Sequence, residues 1–201
     1  MERKILNLFL FNNKLKFSEI ERLLKIRSNK LSYHIKQLIN KGVLTKKQEE
    51  YFLSEASEYL LPYISNKTSA LPVILIHIGE KNKSFLYKRE KRPFKNFLSL
   101  PGGRLLIRES IQEAANRIMK EKFNINVKFK KVNSISLEQV RKSNKTIHSF
   151  LLILVSVTTK DNISLTNINK NKSKIIKSDY YLLKNNLDKQ IKIEIIKNNS
   201  S

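Results

Sequence analysis

Apolar residues recur at helical spacing in the first third of the chain. Leu31, Ile35 and Leu38 fall at i, i+4 and i+7, which predicts one buried stripe along a helix. Ser28 is placed to cap the start of this helix, and Gly42 is placed to end it as the residue after the C-cap. The stretch "SNKLSYHIKQLINKG" is therefore predicted to be an amphipathic helix.

Shorter elements surround this helix. A short, mostly apolar first helix is predicted from Ile5, Leu6, Leu8, Phe9 and Leu10. Ser18 with Glu21 forms a capping box at the start of a second helix. Residues 43–53, "VLTKKQEEYFL", read as two short strands joined by a polar turn. Residues 54–64 predict one more helix, capped by its first serine.

The period changes after a small, polar stretch at residues 65–70. "LPVILIHIG" and "SFLYKRE" predict a strand pair, and "INVKFKKVNSISL" and "TIHSFLLILVSVTT" are also strand-like. Between them a Pro-Gly-Gly loop leads into a helix, and "IIKSDYYLLKNNL" predicts a strand followed by a helix. We therefore expect an α+β protein with domains at 1–66 and 70–195 and a disordered tail at 196–201.

The composition indicates an anionic partner. The chain has 201 residues, of which 40 are Lys or Arg and 17 are Asp or Glu, giving a net charge of +23. Residues 1–66 hold 12 basic and 7 acidic residues, whereas residues 67–201 hold 28 and 10. A surplus of this size favours nucleic acid, a nucleotide or a membrane surface, and the second half shares in it.

Several classes of site and location are excluded or disfavoured. The sequence contains no cysteine, which removes disulfides, thiolate catalysis and cysteine-type zinc sites. His34, His77 and His148 lack the spacing of metal ligands. No apolar run approaches the ~20 residues of a spanning helix, and the first residues do not fit a signal peptide. We expect a cytoplasmic protein that does not bind membranes.

The order helix, helix, turn, helix, hairpin resembles the winged helix-turn-helix of ArsR-like regulators. The resemblance covers residues 3–64 and rests on "LSYHIKQLINKGVL" followed by "YFLSEAS". It implies binding to duplex DNA and a homodimer. The candidate DNA contacts are polar positions of the third helix off its buried stripe, together with two lysines of the hairpin: Ser28, Asn29, Lys30, Ser32, Tyr33, Lys36, Gln37, Lys46 and Lys47.

Residues 101–125, "PGGRLLIRESIQEAANRIMKEKFNI", resemble the Nudix box, GX5EX7REUXEEXGU with U apolar. The matching positions are Gly103, Glu109, Arg117, Met119, Glu121 and Ile125. Ile118 and Lys122 stand where the family has Glu, and Asn124 stands where it has Gly. The resemblance implies a Nudix-type α/β/α sandwich with a mixed sheet.

These departures bear on the chemistry that the resemblance implies. In the family, Mg²⁺ is held mainly by the Glu after the Arg and by the Glu pair, so Glu121 alone is left as a weak ligand here. Glu109 and Arg117 pair with each other in the family and brace the loop. Lys122 adds a positive charge beside the expected dication, and its side chain could point into that site or into solvent. We therefore predict no catalytic residue and no cofactor.

The sequence thus predicts a transcriptional regulator whose second domain senses a nucleotide-type anionic ligand without hydrolysing it. Arg89, beside other basic residues, is either a phosphate contact or a solvated charge. The expected ligand-binding residues are Arg89, Gly102, Gly103, Arg104, Glu109, Arg117, Glu121 and Lys122.

Two alternatives remain. The first is an active Mg²⁺-dependent Nudix hydrolase of nucleoside diphosphate derivatives tethered to nucleic acid, with Glu138 or Asp161 completing the metal site. The second is an interaction module that binds RNA or protein through its basic surface.

Overall fold

The computed structural model describes residues 1–57 and 69–196. It divides into two compact units, Met1–Thr68 and Ser69–Ser201. Within the described ranges, no helix combines the length and the apolar character that crossing a membrane requires.

The first unit combines three helices with a small antiparallel sheet. Its strands lie in the order β1-β3-β2. The elements in chain order are α1 (Glu2–Leu8), β1 (Leu15–Lys16), α2 (Phe17–Leu24), α3 (Ser28–Asn40), β2 (Leu44–Lys47) and β3 (Glu50–Leu53).

The predicted stripe of α3 is the centre of this unit. Leu31, Ile35 and Leu38 are at most 2% exposed and belong to one cluster with Ile20 of α2. Gly42 follows the helix with φ +67°, a left-handed conformation that glycine adopts without steric cost. The stripe and the helix end are therefore confirmed.

The helix starts differ from the serine pattern. Helix α2 begins before Ser18, and the Lys16 amide donates to the carboxylate of Glu19 at 2.7 Å. Glu21 instead accepts a hydrogen bond from Ser28 Oγ, so both predicted capping groups join α2 to α3. A hydrogen bond between two helices therefore replaces the predicted caps. The spacing of residues along one helix could not predict this contact.

The last predicted helix of this half lies mostly outside the described residues. Residues 55–57 form a 3₁₀ turn after Ser54, whose hydroxyl donates to the Gly42 carbonyl at 2.5 Å. The predicted helix beyond residue 57 and most of the predicted linker lie outside the described ranges, as does most of the predicted tail.

The second unit is built on a mixed sheet in the order β10-β11-β4-β9. Strand β11 runs parallel to β4, and the other neighbours are antiparallel. Two smaller sheets, β12-β6-β5 and β7-β8, lie beside it. The elements are β4 (Leu71–His77), β5 (Gly79–Glu80), β6 (Lys83–Ser84), β7 (Tyr87–Lys88), β8 (Leu98–Ser99), β9 (Gly102–Arg104), α4 (Ile111–Phe123), β10 (Lys128–Lys142), β11 (Lys145–Thr158), β12 (Thr166–Asn167) and α5 (Lys177–Asn185).

Each face of the mixed sheet is covered by a helix. Along β4, Ile74 and Ile76 enter the cluster that contains the apolar side of α4. Leu75, between them, enters the cluster that contains Leu182 and Leu183 of α5. Successive strand residues point to opposite faces, so a continuous apolar run means burial on both sides. The expected helix-sheet-helix sandwich with a mixed sheet is confirmed.

One predicted strand pairing is only partly correct. The ends of "LPVILIHIG" and "SFLYKRE" meet in the short hairpin β5–β6, where Gly79 pairs with Ser84. The rest of the first segment, β4, pairs instead with β11 and β9, and β7 of the second pairs with β8. A parallel partner must come from far along the chain, since the crossover between the strands takes many residues. The spacing of apolar residues predicts that a strand exists, but it does not predict which strand will be its partner.

Candidate functional site

The glycine loop brings β9 into close contact with α4. A Cβ built on Gly103 would lie 2.8 Å from Cγ1 of Ile118, closer than real side chains approach. Ile118 itself is fully buried in the core between α4 and the sheet. The glycine of the box is thus required for packing between the loop and the helix.

Glu109 and Arg117 brace the loop with a two-pronged ion pair. Arg117 Nε donates to Glu109 Oε2 at 2.8 Å, and Nη2 donates to Oε1 at 2.7 Å. Glu109 also accepts from the Leu106 amide at 2.6 Å, and Arg117 donates to the Arg104 carbonyl at 3.0 Å. The hydrogen bond from Arg117 lowers the pKa of Glu109 below its ordinary value, which keeps the pair ionised.

Helix α4 has well-formed ends. Ser110 and Glu113 form a reciprocal capping box, with the Ser110 amide donating to Glu113 at 2.7 Å. That backbone hydrogen bond lowers the pKa of Glu113, which is otherwise solvent-exposed. Asn124 ends the helix with φ +54°, the conformation for which the family pattern has glycine. The departure from Gly to Asn therefore preserves the helix end.

The three positions where the family pattern places acids diverge in space. Ile118 is in the core, and the side chain of Glu121 is 61% exposed with Arg117 Nη1 at 3.4 Å. Lys122 Nζ donates to the Gly102 carbonyl. Over the described ranges no three His, Asp or Glu side chains are grouped to hold a metal ion. The residues at this site therefore do not fit the Mg²⁺ coordination that the Nudix resemblance implies.

A cavity of about 270 Å³ lies beside the glycine loop. Its basic residues come from three segments: Arg89 after β7, Arg104 of β9 and Lys122 of α4. Burial, followed by repulsion from Arg89 and Lys91, lowers the pKa of Lys122. An anion in the cavity would relieve that repulsion, so the electrostatics favour an anionic ligand.

The structure brings together part of the predicted ligand set. The predicted residues that line the cavity are Arg89, Gly102, Gly103, Arg104 and Lys122. Glu109, Arg117 and Glu121 are absent from its lining; the first two hold the loop from behind, and Glu121 faces solvent.

Sequence reasoning missed Asp179, a buried acid in the cavity wall. Asp179 is 3% exposed and accepts hydrogen bonds from the Leu100 amide at 2.8 Å and Ser99 Oγ at 2.9 Å. Burial raises its pKa to about 6. Its position in the first turn of α5 suggests only a favourable helix-dipole contact, since the burial comes from the distant segment at β8.

Of the two acids considered for a rebuilt metal site, Glu138 lines the cavity, whereas Asp161 accepts from the Asn126 amide elsewhere.

The raised pKa of Asp179 predicts a pH-dependent stability difference. A carboxyl whose folded pKa exceeds its unfolded value contributes stability at low pH that is lost as pH rises through about 6. Asp179→Asn keeps an acceptor for Leu100 and cannot ionise. The free energy of unfolding of the Asp179→Asn variant, relative to that of the unmodified chain, should therefore rise by about 1 kcal/mol between pH 5 and pH 8.

Urea unfolding of both proteins at the two pH values measures this difference. His77, whose pKa burial lowers to about 4, destabilises the fold in acid, but it is common to both proteins and cancels. A pH-independent difference would show that Asp179 ionises normally.

The predicted DNA contacts of α3 lie mostly on its exposed side. Tyr33 is 60% exposed, whereas Ser32 and Gln37 are half-buried and the hydroxyl of Ser28 is engaged by Glu21. The exposed charged and amide positions are Asn29, Lys30 and Lys36.

The hairpin β2–β3 carries the two predicted lysines on its surface. Lys46 Nζ lies 5.7 Å from the ring centre of Tyr51, and Lys47 Nζ lies 5.8 Å from that of Phe52. These rings hold both ammonium groups at the hairpin surface, where an anion can reach them.

Sequence comparison identifies the family. The model of the NUDIX domain matches residues 68–178, more than half of the chain. The chain belongs to the Nudix domain family. No curated protein matches the sequence.

Several solved structures are similar to this Nudix protein at low sequence identity. A NUDIX hydrolase from Nitrosomonas europaea is 17% identical, with a TM-score of 0.48 over 59% of this chain and 70% of that one. The MutT protein from Methanosarcina mazei Go1 is 15% identical, with a TM-score of 0.48 over 59% and 94%. A UDP-X diphosphatase is 16% identical, with a TM-score of 0.46 over 91% and 88%.

Proposed function

We propose that this chain is a DNA-binding transcriptional regulator whose Nudix domain binds a nucleotide-type anionic ligand without hydrolysing it. The observation that carries the proposal is the Lys122 ammonium group, which lies at the cavity where the family pattern has a carboxylate. A site that has exchanged a metal ligand for a cation favours binding of the phosphate over metal-assisted cleavage.

The element order of the first unit supports a winged helix-turn-helix of the ArsR-like type. Helix α3 presents Asn29, Lys30 and Lys36 on the side opposite its buried stripe, as a recognition helix does. The β2–β3 hairpin has the position of the wing and carries Lys46 and Lys47. Domains of this type usually work as dimers, and we propose a homodimer on two half-sites.

Three basic side chains support phosphate binding in the Nudix domain. The cavity receives Arg89, Arg104 and Lys122 from separate segments, so a diphosphate could be contacted from several directions. The Glu109–Arg117 pair keeps the loop in place from behind the cavity. The cations of the chain itself then provide the charge that a Nudix hydrolase draws from Mg²⁺.

The alternative function is a Mg²⁺-dependent hydrolase of nucleoside diphosphate derivatives. Glu138 in the cavity lining and the exposed carboxylate of Glu121 favour it, because both could move toward a metal ion. A hydrolase would have to bind Mg²⁺ beside the Lys122 ammonium group. The repulsion between these two cations makes hydrolysis the second choice.

Binding to duplex DNA should be strongly salt-dependent. Because each lysine at a phosphate displaces a counterion, Lys36→Ala should lower the slope of log affinity against log salt by about 1. Lys160→Ala, an exposed lysine of the Nudix domain, is the charge-matched control and should leave the slope unchanged.

The measurement is a salt titration of the full chain on duplexes selected from a random pool. If the selection yields no preferred sequence, and the chain binds duplex DNA no more tightly than an unrelated basic protein does, DNA recognition is refuted.

The regulator as a whole is tested by coupling between the two sites. A set of nucleoside diphosphates should change the affinity for the selected duplex, by an amount equivalent to about 1–3 kcal/mol. Arg89→Ala should weaken the ligand and reduce this effect, whereas Lys160→Ala should not. Tight binding of a diphosphate with no change in DNA affinity would favour the hydrolase instead.

A further inference from the structure

A second basic surface lies on the Nudix domain, on both sides of Phe97. Two adjoining grooves of about 450 and 520 Å³ share Phe97 and Ser173 in their walls. Neither shares a lining residue with the cavity that holds Arg89 and Lys122. This surface, the Phe97 groove, is therefore separate from the proposed ligand site.

The Phe97 groove is basic throughout. Its lysines come from β7, from the segment before α5 and from α5 itself: Lys88, Lys170, Lys172, Lys174 and Lys177. Among the described residues in its walls none is acidic. The ion pairs found within residues 1–57 and 69–196 involve none of these five lysines. Their charge is thus available to an external anion.

The aromatic side chain of Phe97 lies among these lysines. Phe97 is 42% exposed and lines both grooves. The ring of Tyr180 lies 5.5 Å from Lys172 Nζ. Asparagine side chains at Asn96 and Asn171 line the same surface. Lysines alone would suit any polyanion; an exposed ring between them suits one that also offers flat, apolar faces.

The groove is held by backbone hydrogen bonds. The amide of Ile176 donates to the Leu98 carbonyl at 3.0 Å, which ties the lysine-bearing segment to β8. The Arg89 amide donates to the Phe97 carbonyl at 2.8 Å, and the Asn96 amide donates to the Arg89 carbonyl at 2.8 Å. Phe97 is therefore presented on a fixed turn, so little order would have to be created on binding.

We propose that the Phe97 groove binds single-stranded nucleic acid. The lysines would follow the phosphates while an unpaired base stacks on Phe97, the combination used by sequence-tolerant single-strand sites. In a duplex the base faces are already stacked, so an exposed phenyl ring offers nothing to it. The proposal also explains why the charge surplus is larger in residues 67–201 than in residues 1–66.

The test measures binding of the full chain to a short labelled oligonucleotide of mixed sequence, as single strand and as duplex, by fluorescence anisotropy. Phe97→Leu keeps an apolar side chain and removes the ring; it should weaken single-strand binding about ten-fold and leave duplex binding unchanged. Phe97→Tyr keeps the ring and should bind within about two-fold of the original. The pair of variants separates stacking from simple apolar contact.

The location of the single-strand site is tested with two double variants that each remove two positive charges. Lys172→Ala with Lys174→Ala should lower the single-strand salt slope by about 1.4. Lys142→Ala with Lys145→Ala removes the same charge from the tip of the β10–β11 hairpin and should leave that slope unchanged. Lys30→Ala with Lys36→Ala should weaken duplex binding and spare the single strand, which keeps this site distinct from the first unit.

Three results would overturn the proposal: no single-strand binding by the unmodified chain, a Phe97→Leu variant that binds as well as the original, or equal losses from the two lysine pairs. Circular dichroism and thermal unfolding of each variant show whether the fold is retained, and Phe97→Tyr provides the comparison if Phe97→Leu is destabilised.

Discussion

Lys122→Ala should weaken binding of nucleoside diphosphates about ten-fold, and excess Mg²⁺ should leave the affinity of the unmodified chain unchanged. Lys122 Nζ lies at the cavity and donates a hydrogen bond to the Gly102 carbonyl, and burial and neighbouring cations lower its pKa. A phosphate in the cavity would offset this repulsion and favour the ammonium form, so that Lys122 acts as a tethered cation for the ligand. Isothermal titration with and without Mg²⁺ measures both effects.

The control for this prediction is on the same helix. Lys120→Ala removes an exposed lysine two positions away and should bind diphosphates as the unmodified chain does. Lys122→Arg keeps the charge and should retain part of the affinity.

The same site predicts negligible Mg²⁺-dependent hydrolysis of nucleoside diphosphates. Substantial turnover that requires Mg²⁺ and disappears in Glu121→Gln would refute this prediction and establish the hydrolase alternative.

Ile118→Glu should destabilise the Nudix domain by about 3 kcal/mol or more. Ile118 is fully buried, and its side chain fills the space that Gly103 leaves open. Glutamate there loses the apolar contacts and places a carboxyl group in a core that offers it no partner. Hydrogen exchange of the α4 amides reports on this domain alone, and exchange should become faster.

Two variants separate burial from chemistry. Ile118→Val, which removes one methylene group, should cost about 1 kcal/mol. Gln112→Glu adds the same acid at an exposed position of α4 and should change stability by less than about 0.5 kcal/mol. If Ile118→Glu were as stable as Gln112→Glu, position 118 would have access to the cavity, and a metal ligand could be restored there.

The burial of Ile118 also bears on whether a metal site could be built here. Restoring acids at both Ile118 and Lys122 would not simply return a metal site, because only the second position reaches the cavity. Position 118 belongs to the core, so an acid there would lose the apolar contacts that Ile118 makes.

The sequence by itself determined the local elements and the family. The spacing of Leu31, Ile35 and Leu38 was sufficient for α3, because a buried helix face must repeat about every 3.6 residues. The apolar run of β4 indicated a strand buried on both faces. The box pattern identified the Nudix domain in spite of its departures at Ile118 and Lys122.

The tertiary structure decided which side chains meet. Ile118 and Lys122 are four residues apart and so share one helix face, yet the first packs on Gly103 in the core and the second reaches the Gly102 carbonyl at the cavity. Helical spacing gives the direction of a side chain and cannot say what lies opposite it.

The same holds for Asp179 and for Phe97. Asp179 is buried because the Leu100 amide and Ser99, far away in sequence, close over it. Phe97 became the centre of a basic groove because β8 and the segment before α5 are hydrogen-bonded to each other. Contacts between distant segments are set by the packing of the whole domain, which no local period in the sequence encodes.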